Sequence, residues 1–168
     1  MRKLDPHEMY RRALGSNDPA AVLDEVELFV FAVMELETYM DMEGWDAFFV
    51  GSQSHLYPLL RQCLSVVGAA RSLAVVDDYV AYHAARGVPF EPEAIDELAR
   101  RETDAVLRAR PDWRSHFNDA SGERWQRIGE YLRSCGIELV TSVPDLGDSP
   151  EAAELLTLFA ATKPGSLN

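Results

Sequence analysis

The sequence has very little lysine and cysteine. Its two lysines, Lys3 and Lys163, lie near the two ends, so Schiff-base chemistry and phosphate binding by lysine have no good candidate. Its two cysteines, Cys63 and Cys135, form no Cys-x-x-Cys pair, which argues against a zinc ribbon or a disulfide scaffold. Both lie on apolar helical faces, and we predict that they are buried structural thiols in a reducing compartment.

The sequence also lacks a long apolar segment. Its longest unbroken apolar run, residues 28–34, is far shorter than the roughly 20 residues that span a bilayer. The first residues run into charges with no apolar segment behind them, so they do not resemble a secretion signal. We therefore expect a soluble cytoplasmic protein that does not bind membranes.

Positive charge is scarce as well. The 168 residues carry 28 Asp and Glu against 16 Lys and Arg, a formal net charge of −12. Nucleic acids and anionic membrane surfaces both require a positive footprint, so direct binding to either is disfavoured. With 47% apolar residues, the chain can still bury a core, and its length suits one domain.

Catalytic motifs are missing too. None of the four histidines belongs to a His-Glu-x-x-His or Glu-x-x-His arrangement. Ser52 and Ser54 lie near His55 but outside the strand-turn-helix context of a nucleophilic serine. Asp112 and His116 share a helix face, which is typical of a surface ion pair. We predict no enzymatic activity, no cofactor and no metal.

What the sequence does contain is helix patterning. Apolar spacing, caps and glycine stops predict an all-α fold, a single compact domain over residues 1–168 with about six to seven helices. We expect residues 1–17 to form a frayed N-terminal helix and 140–168 a loop plus a C-terminal helix. The strongest signal is an amphipathic helix from Pro19 to Asp41, capped by Asp18. A strand-like stretch, Ile137 to Val143, lacks a convincing partner.

Further helix signals follow this one along the chain. After the Gly44 break, a third helix has Cys63 on its buried side and ends at Gly68, and Ser72 caps the next. Later helices begin at Pro92, after Ser121 and at Ser149, and the first of these stops before Pro111.

Half of the acids lie in two stretches without any base, and the first runs from Arg12 to Arg61. On the predicted helix, four acids project away from the apolar stripe, on the side that also carries Leu28 and Phe31. Glu37 falls at the edge of the stripe, and we expect an arginine or backbone N–H groups to satisfy it. The acidic side is either a solvated face or a binding face. For the binding face we predict the residues Asp24, Glu27, Glu35, Asp41, Asp46 and Phe31.

Residues 35–49 resemble the central motif of the bacterial DNA-mimic-protein family. In that motif an acidic helix ends in Asn-Gly-Gly-Phe and is followed by Gln-Tyr-Phe or Gln-Phe-Phe. Residues 66–69 and 128–132 are similar to later helix patterns of the family, so the resemblance spans about 22–139. The matching positions are Gly44 for the second glycine, Trp45 for the aromatic residue, and Phe48 and Phe49 for the closing pair. The departures are Met42, Glu43 and Ala47 in place of Asn, the first Gly and Gln.

The resemblance implies a mostly helical, noncatalytic protein whose carboxylates imitate duplex phosphates and occupy a basic, nucleic-acid-binding protein. A close alternative is an immunity protein that neutralises a nuclease or nucleobase-modifying toxin. A third hypothesis is a helical metal-binding protein or enzyme that uses Glu35, Asp41 and Asp46 with His55. A homodimer stays open as a further assembly.

Overall fold

A computed structural model describes residues 1–16 and 18–140 of the chain. Within these residues the fold is a single compact all-α domain, as the sequence predicts, with one small pair of strands. Its elements in chain order are β1 (Arg2–Leu4), α1 (Pro6–Leu14), a 3-10 turn (Pro19–Ala21), α2 (Glu25–Met42), α3 (Trp45–Val50), a 3-10 turn (Ser54–Leu56), α4 (Tyr57–Val67), α5 (Ala70–Ala84), α6 (Pro92–Arg101), α7 (Asp104–Ala109), α8 (Trp113–Asp119), α9 (Ser121–Ser134) and β2 (Ile137–Leu139).

Helix α2 runs through the middle of the domain and contacts α1, α3 and α4. Four consecutive residues in it, from Val30 to Val33, are each at most 1% exposed, so this part of the helix has no solvent face. A helix that is apolar on all sides is buried on all sides. The prediction of an amphipathic helix is therefore wrong, because the apolar run of residues 28–34 covers the whole circumference of the helix.

Helix α2 also starts later than predicted. Pro19 opens only a three-residue 3-10 turn, in which the Asp18 side chain accepts a hydrogen bond from the backbone N–H of Ala20. The helix itself begins after Asp24. The Asp24 carboxylate accepts from the Glu27 N–H at 2.9 Å, and the Glu27 carboxylate accepts from the Asp24 N–H at 3.0 Å. This reciprocal capping box satisfies two donors that the helix leaves open.

The strand-like stretch has a partner after all. Strand β2 pairs in parallel with β1, with Arg2 opposite Ile137 and Leu4 opposite Leu139. A partner so far away in the sequence gives no local signal. The same pairing anchors the N-terminal segment, where α1 is capped by Asp5 and buries Met9. Helix α1 is thus packed on the domain, whereas a frayed helix was expected.

The number of α-helices in the described residues exceeds the predicted six to seven. The segment expected to run from Pro92 to before Pro111 is divided, because the Thr103 side chain caps a separate helix by accepting from the Val106 N–H. Residues 45–50 and 113–119 also form short helices. The expected loop at 140–149 lies outside the described residues except for Val140, and the expected helix from Ser149 lies wholly outside them.

An aromatic cluster lies where α3, α5 and α8 meet. The Phe49 ring centroid is 4.6 Å from that of Tyr79, which is in turn 5.8 Å from Trp45 and 4.9 Å from Trp113. Edge-on and tilted contacts of this kind add about 0.5–1.5 kcal/mol each beyond the area that they bury. The cluster joins the motif residues Trp45 and Phe49 of α3 to α5 and α8.

Among the helices that the structure describes, none combines the length and the apolar character that a membrane crossing needs. The two cysteines differ. Cys63 is buried, and its burial raises the pKa of the thiol to about 12, as expected of a structural thiol. Cys135 is exposed at the end of α9, so the prediction that it is buried is wrong.

Candidate functional site

Arginines from other parts of the fold meet the acids of the base-free stretch. Five of these acids form separate ion pairs, and three of the five belong to the acidic side of α2 that the sequence indicates. The pairs are Arg2 with Asp24, Arg12 with Glu27, Arg124 with Glu37, Arg114 with Asp41, and Arg110 with Asp46.

At the N-terminal end of α2, Asp24 and Glu27 serve the helix itself. Asp24 is bound by Arg2, whose hydrogen bond is the main reason that the pKa of this carboxyl is lowered. Glu27 is only 8% exposed, and Arg12 donates to it at 2.6 Å. Asp24 remains accessible, but the expectation that Glu27 is an open acidic contact is wrong because its carboxylate is already engaged.

Glu37 confirms the prediction of a satisfied, partly buried carboxylate. Its partner Arg124 is completely buried and donates from Nε to the Glu37 carboxylate at 3.2 Å. The Trp125 indole N–H donates to the same oxygen at 3.1 Å. Arg124 also donates at 2.9 Å to the hydroxyl of Ser72 and to the carbonyl of Phe117. Ser72 lies inside α5 and binds this arginine, so its predicted role as a helix cap is wrong.

Asp46 belongs to a second internal network. It accepts from the Tyr79 hydroxyl at 2.7 Å and from Arg110 at 2.8 Å. Arg110 continues to Glu102, at 2.7 Å, which the Tyr82 hydroxyl also reaches at 2.7 Å. Burial alone would raise the pKa of Glu102, but these hydrogen bonds and the nearby guanidinium charges outweigh it and lower the pKa. Asp46 thus holds α3 against the segment before α8.

Glu35 and Phe31 lie inside the protein. Each is 1% exposed, and the Phe31 ring centroid is 5.6 Å from that of Tyr10 on α1. The expectation that they share an accessible face with the other acids is wrong. Burial raises the pKa of Glu35, while a hydrogen bond from Tyr10 and the charge of His55 lower it by less. Among the described residues, Glu35 Oε1 has no hydrogen-bond partner.

The C-terminal end of α2 is different, because its acids face solvent. The acidic end of α2 is defined here as Asp41, Met42 and Glu43. All three are exposed, with Met42 at 77%, and the Asp41 side chain is 66% exposed at 3.4 Å from Arg114. The last turn of α2 contains no basic residue. Negative charge at a helix C-terminus opposes the helix dipole, so this arrangement costs about 0.3–1 kcal/mol of stability.

A shallow groove adjoins the acidic end of α2. It has a volume of about 440 Å³ and lies between residues 43–46 on one side and 107–114 on the other. Gly44 turns the chain between α2 and α3 with φ +100°, a conformation that side chains with a Cβ rarely adopt. The turn places Trp45 in the aromatic cluster and leaves Glu43 at the rim of the groove. We refer to this groove as the motif groove.

Geometry for catalysis or metal binding is not assembled from the predicted residues. Within residues 1–16 and 18–140, no group of three or more histidine, cysteine, aspartate or glutamate side chains could hold a metal ion. Asp46 is bound by Arg110, and Glu35 is buried beside Tyr10. His55 Nδ1 lies 2.8 Å from the backbone carbonyl of Ser52, so its ring is used by the turn.

Family membership follows from a comparison of the chain with protein-family models. The model of the DMP19-like proteins matches residues 21–136, well over half of the chain. The chain belongs to the DMP19-like family. The match covers α2, the acidic end of α2 and the motif groove, and it supports the resemblance that residues 35–49 indicate. Comparison of this DMP19-like protein with curated proteins and with solved structures finds no significant match.

Sequence reasoning missed Met42 and Glu43 as candidate contact residues, although they stand where the motif departs from the family pattern. A local signal for them exists. Two acids flank an apolar residue at the end of a helix that has no basic residue in its last turn, which contradicts the usual charge preference of helix ends. Such departures from local rules are expected at functional sites.

Proposed function

We propose that this DMP19-like protein is a noncatalytic acidic module that binds a basic, nucleic-acid-binding protein in competition with nucleic acid. The contact surface in this proposal is the acidic end of α2 at the edge of the motif groove, and it excludes the arginines of residues 107–114 on the opposite side. Asp24, at the opposite end of the helix, extends the acidic surface but is partly neutralised by Arg2.

The observation that carries the proposal is the exposure of Asp41, Met42 and Glu43 at a helix end that disfavours negative charge. Carboxylates on a rigid helix can stand in for phosphates, because arginine and lysine bind both through charge-assisted hydrogen bonds. Met42 adds a flexible apolar contact between the two charges. Family membership and the net charge of −12 support the same assignment.

The experiment is a capture assay with the purified protein as bait, followed by binding measurements on the captured protein. We expect a basic protein that is released by duplex DNA and whose affinity falls more than about tenfold between roughly 50 and 300 mM salt. Whether that protein is a regulator or a nuclease separates DNA mimicry from immunity.

The site is tested with the double variant D41N/E43Q. Its matched control is E8Q/E138Q, which changes the charge equally at two exposed acids elsewhere. We expect the first variant to bind at least tenfold more weakly and the control to bind as the wild type does within about threefold. Equal affinities of the two variants would contradict the assignment of the acidic end of α2.

A further inference from the structure

The C-terminal part of the sequence combines an apolar stripe with a surplus of acids. The helix that the sequence predicts from Ser149 has four apolar residues on one face, at spacings of 3, 1 and 3: Ala152, Leu155, Leu156 and Phe159. Residues 141–162 contain no base and four acids: Asp145, Asp148, Glu151 and Glu154. A helix with such a stripe needs an apolar surface to cover it, and its acids favour a surface with unpaired cations.

The described part of the domain has an uncovered apolar surface at the end of α1. Leu14 is 61% exposed, and Val22, which follows the 3-10 turn after α1, is 39% exposed. A cavity of about 300 Å³ lies beside Leu14, with further apolar walls from Pro19 and Phe31. Polar residues of the turn before α4 line its other side. We refer to Leu14, Val22 and this cavity as the α1 surface.

Unpaired cations lie around the α1 surface and around the point where the chain leaves the described structure. Most lysines and arginines of residues 1–16 and 18–140 form ion pairs with other described residues, and the exceptions are Lys3, Arg11 and Arg133. Lys3 is in β1, Arg133 lies four residues before β2, and Arg11 lies one turn before Leu14. Asp18 also lines the cavity, but its carboxylate caps the 3-10 turn.

The chain leaves the described structure beside α1. The Val140 N–H donates to the Leu4 carbonyl at 2.8 Å. Because β1 and β2 are parallel, the chain beyond Val140 continues in the direction in which Asp5 leads into α1. Leu14 lies about 14 Å further along that helix, at about 1.5 Å per residue. Residues 141–148 span up to about 26 Å when extended, so the predicted helix is within reach of the α1 surface.

We propose that residues 149–162 form a helix that packs on the α1 surface of the same chain. The apolar stripe covers Leu14, the Phe159 ring enters the cavity, and the neighbouring acids pair with Lys3 and Arg11. The short connection favours this occupant, because it holds the stripe at a high local concentration beside the α1 surface. The inference goes beyond the proposed function, since it concerns a contact within the chain and uses neither the acidic end of α2 nor the motif groove.

The first test is an NMR measurement on the full chain with labelled leucine methyl groups and phenylalanine rings. We expect NOE cross-peaks between the Leu14 methyl groups and the Phe159 ring, because such peaks arise only between protons in close contact. Isotope-filtered spectra of mixed labelled and unlabelled chains distinguish a contact within one chain from a contact between two copies. Absence of the cross-peaks, or cross-peaks that arise between copies, would overturn the proposal.

The second test compares two variants of the predicted helix. L156N places a polar side chain in the apolar stripe, whereas L158N makes the same change about 160° away around the helix. Hydrogen–deuterium exchange of the α1 amides measures the protection that packing provides. We expect exchange at least tenfold faster than in the wild type for L156N and unchanged within twofold for L158N. Equal exchange in the two variants would also overturn the proposal.

The two proposals fail separately. L156N and L158N leave Asp41 and Glu43 unchanged, and D41N/E43Q alters no residue of the α1 surface or of the predicted C-terminal helix. Loss of partner capture in D41N/E43Q therefore tests the proposed function alone, whereas the NOE and exchange measurements need no partner.

Discussion

The two sides of α2 treat a buried carboxylate in opposite ways. On the side that faces α9, Glu37 receives the Arg124 guanidinium and the Trp125 indole N–H. On the side that faces α1, Glu35 is 1% exposed, and the described residues leave one of its oxygens without a partner. Two acids that lie close together in one base-free stretch thus differ in role. Glu37 forms a stabilising internal ion pair, whereas Glu35 keeps one oxygen without a hydrogen-bond partner among the described residues.

The largest effect is expected from breaking the satisfied side. Arg124→Met leaves the Glu37 carboxylate with the Trp125 indole N–H as its remaining donor and the Ser72 hydroxyl without its arginine partner, and removal of one member of a buried ion pair costs about 3–5 kcal/mol. The free energy of unfolding from urea titration measures this loss. Arg127, which pairs with Glu130 on the surface, provides the control, and Arg127→Met should change stability by less than about 0.5 kcal/mol. Similar losses in both variants would contradict the distinction.

Neutralising the two acids should change stability in opposite directions. Glu37→Gln weakens the contact with a buried cation, so we expect a loss of about 2 kcal/mol. Glu35→Gln removes a buried charge whose burial outweighs the Tyr10 hydrogen bond and the His55 charge, so we expect a gain of about 1 kcal/mol at neutral pH. Thermal unfolding of the two variants beside the wild type tests the signs. If both destabilise the protein, Glu35 has a stabilising partner and the contrast between the two sides is wrong.

The pH dependence sharpens the contrast further. The pKa of Glu35 is raised by burial, so the folded protein holds this proton more tightly than the unfolded chain does. The carboxylate therefore costs stability above its folded pKa, and the cost disappears as the pH falls below the unfolded value of about 4.3. We expect the advantage of E35Q over the wild type to be larger at pH 7 than at pH 5 and to vanish by about pH 4. A constant advantage across this range would exclude titration of Glu35 as its cause.

The smallest effect concerns the exposed acidic end of α2. Because Asp41 opposes the helix dipole and contacts Arg114 only at 3.4 Å, Asp41→Asn should stabilise the protein by a few tenths of a kcal/mol. Asp24→Asn should instead destabilise it by about 0.5–1 kcal/mol, since it weakens a helix cap and an ion pair. Differential scanning calorimetry resolves the two directions. A loss of stability in D41N would indicate that Asp41 has a structural role.

Local chemistry explains which parts of the fold the sequence predicts. Gly68 and Gly136 follow helix ends with φ +74°, as glycine stops should, and Asp18 is a cap before Pro19 as predicted, although it caps a three-residue 3-10 turn and not the long helix that was expected. The burial of the middle of α2 on all sides is predictable from the apolar run of residues 28–34. The helical spacing of the apolar residues predicts one apolar stripe, but the run itself contains no polar residue that could form a solvent-exposed face.

The ion-pair partners of the acids cannot be predicted from the sequence in the same way. Arg124 lies 87 positions from Glu37, and Arg110 lies 64 positions from Asp46, so no local pattern connects them. An ion pair of this kind is a property of the packed fold. The sequence indicates where charge is concentrated. Only the packing of the fold determines which carboxylates form internal ion pairs and which stay exposed at the acidic end of α2.

The pairing of β1 with β2 has a consequence for biosynthesis. A chain is made from its N-terminus, yet Arg2 to Leu4 can find their partner only after Ile137 to Leu139 have been synthesised. Closing so long a loop costs more conformational entropy than closing a short one, and the pairing of two short parallel strands contributes only a small stabilisation in return. We therefore expect the two strands to pair after the helices have packed. The helical body can assemble first, and joining the first residues to the segment after α9 completes it.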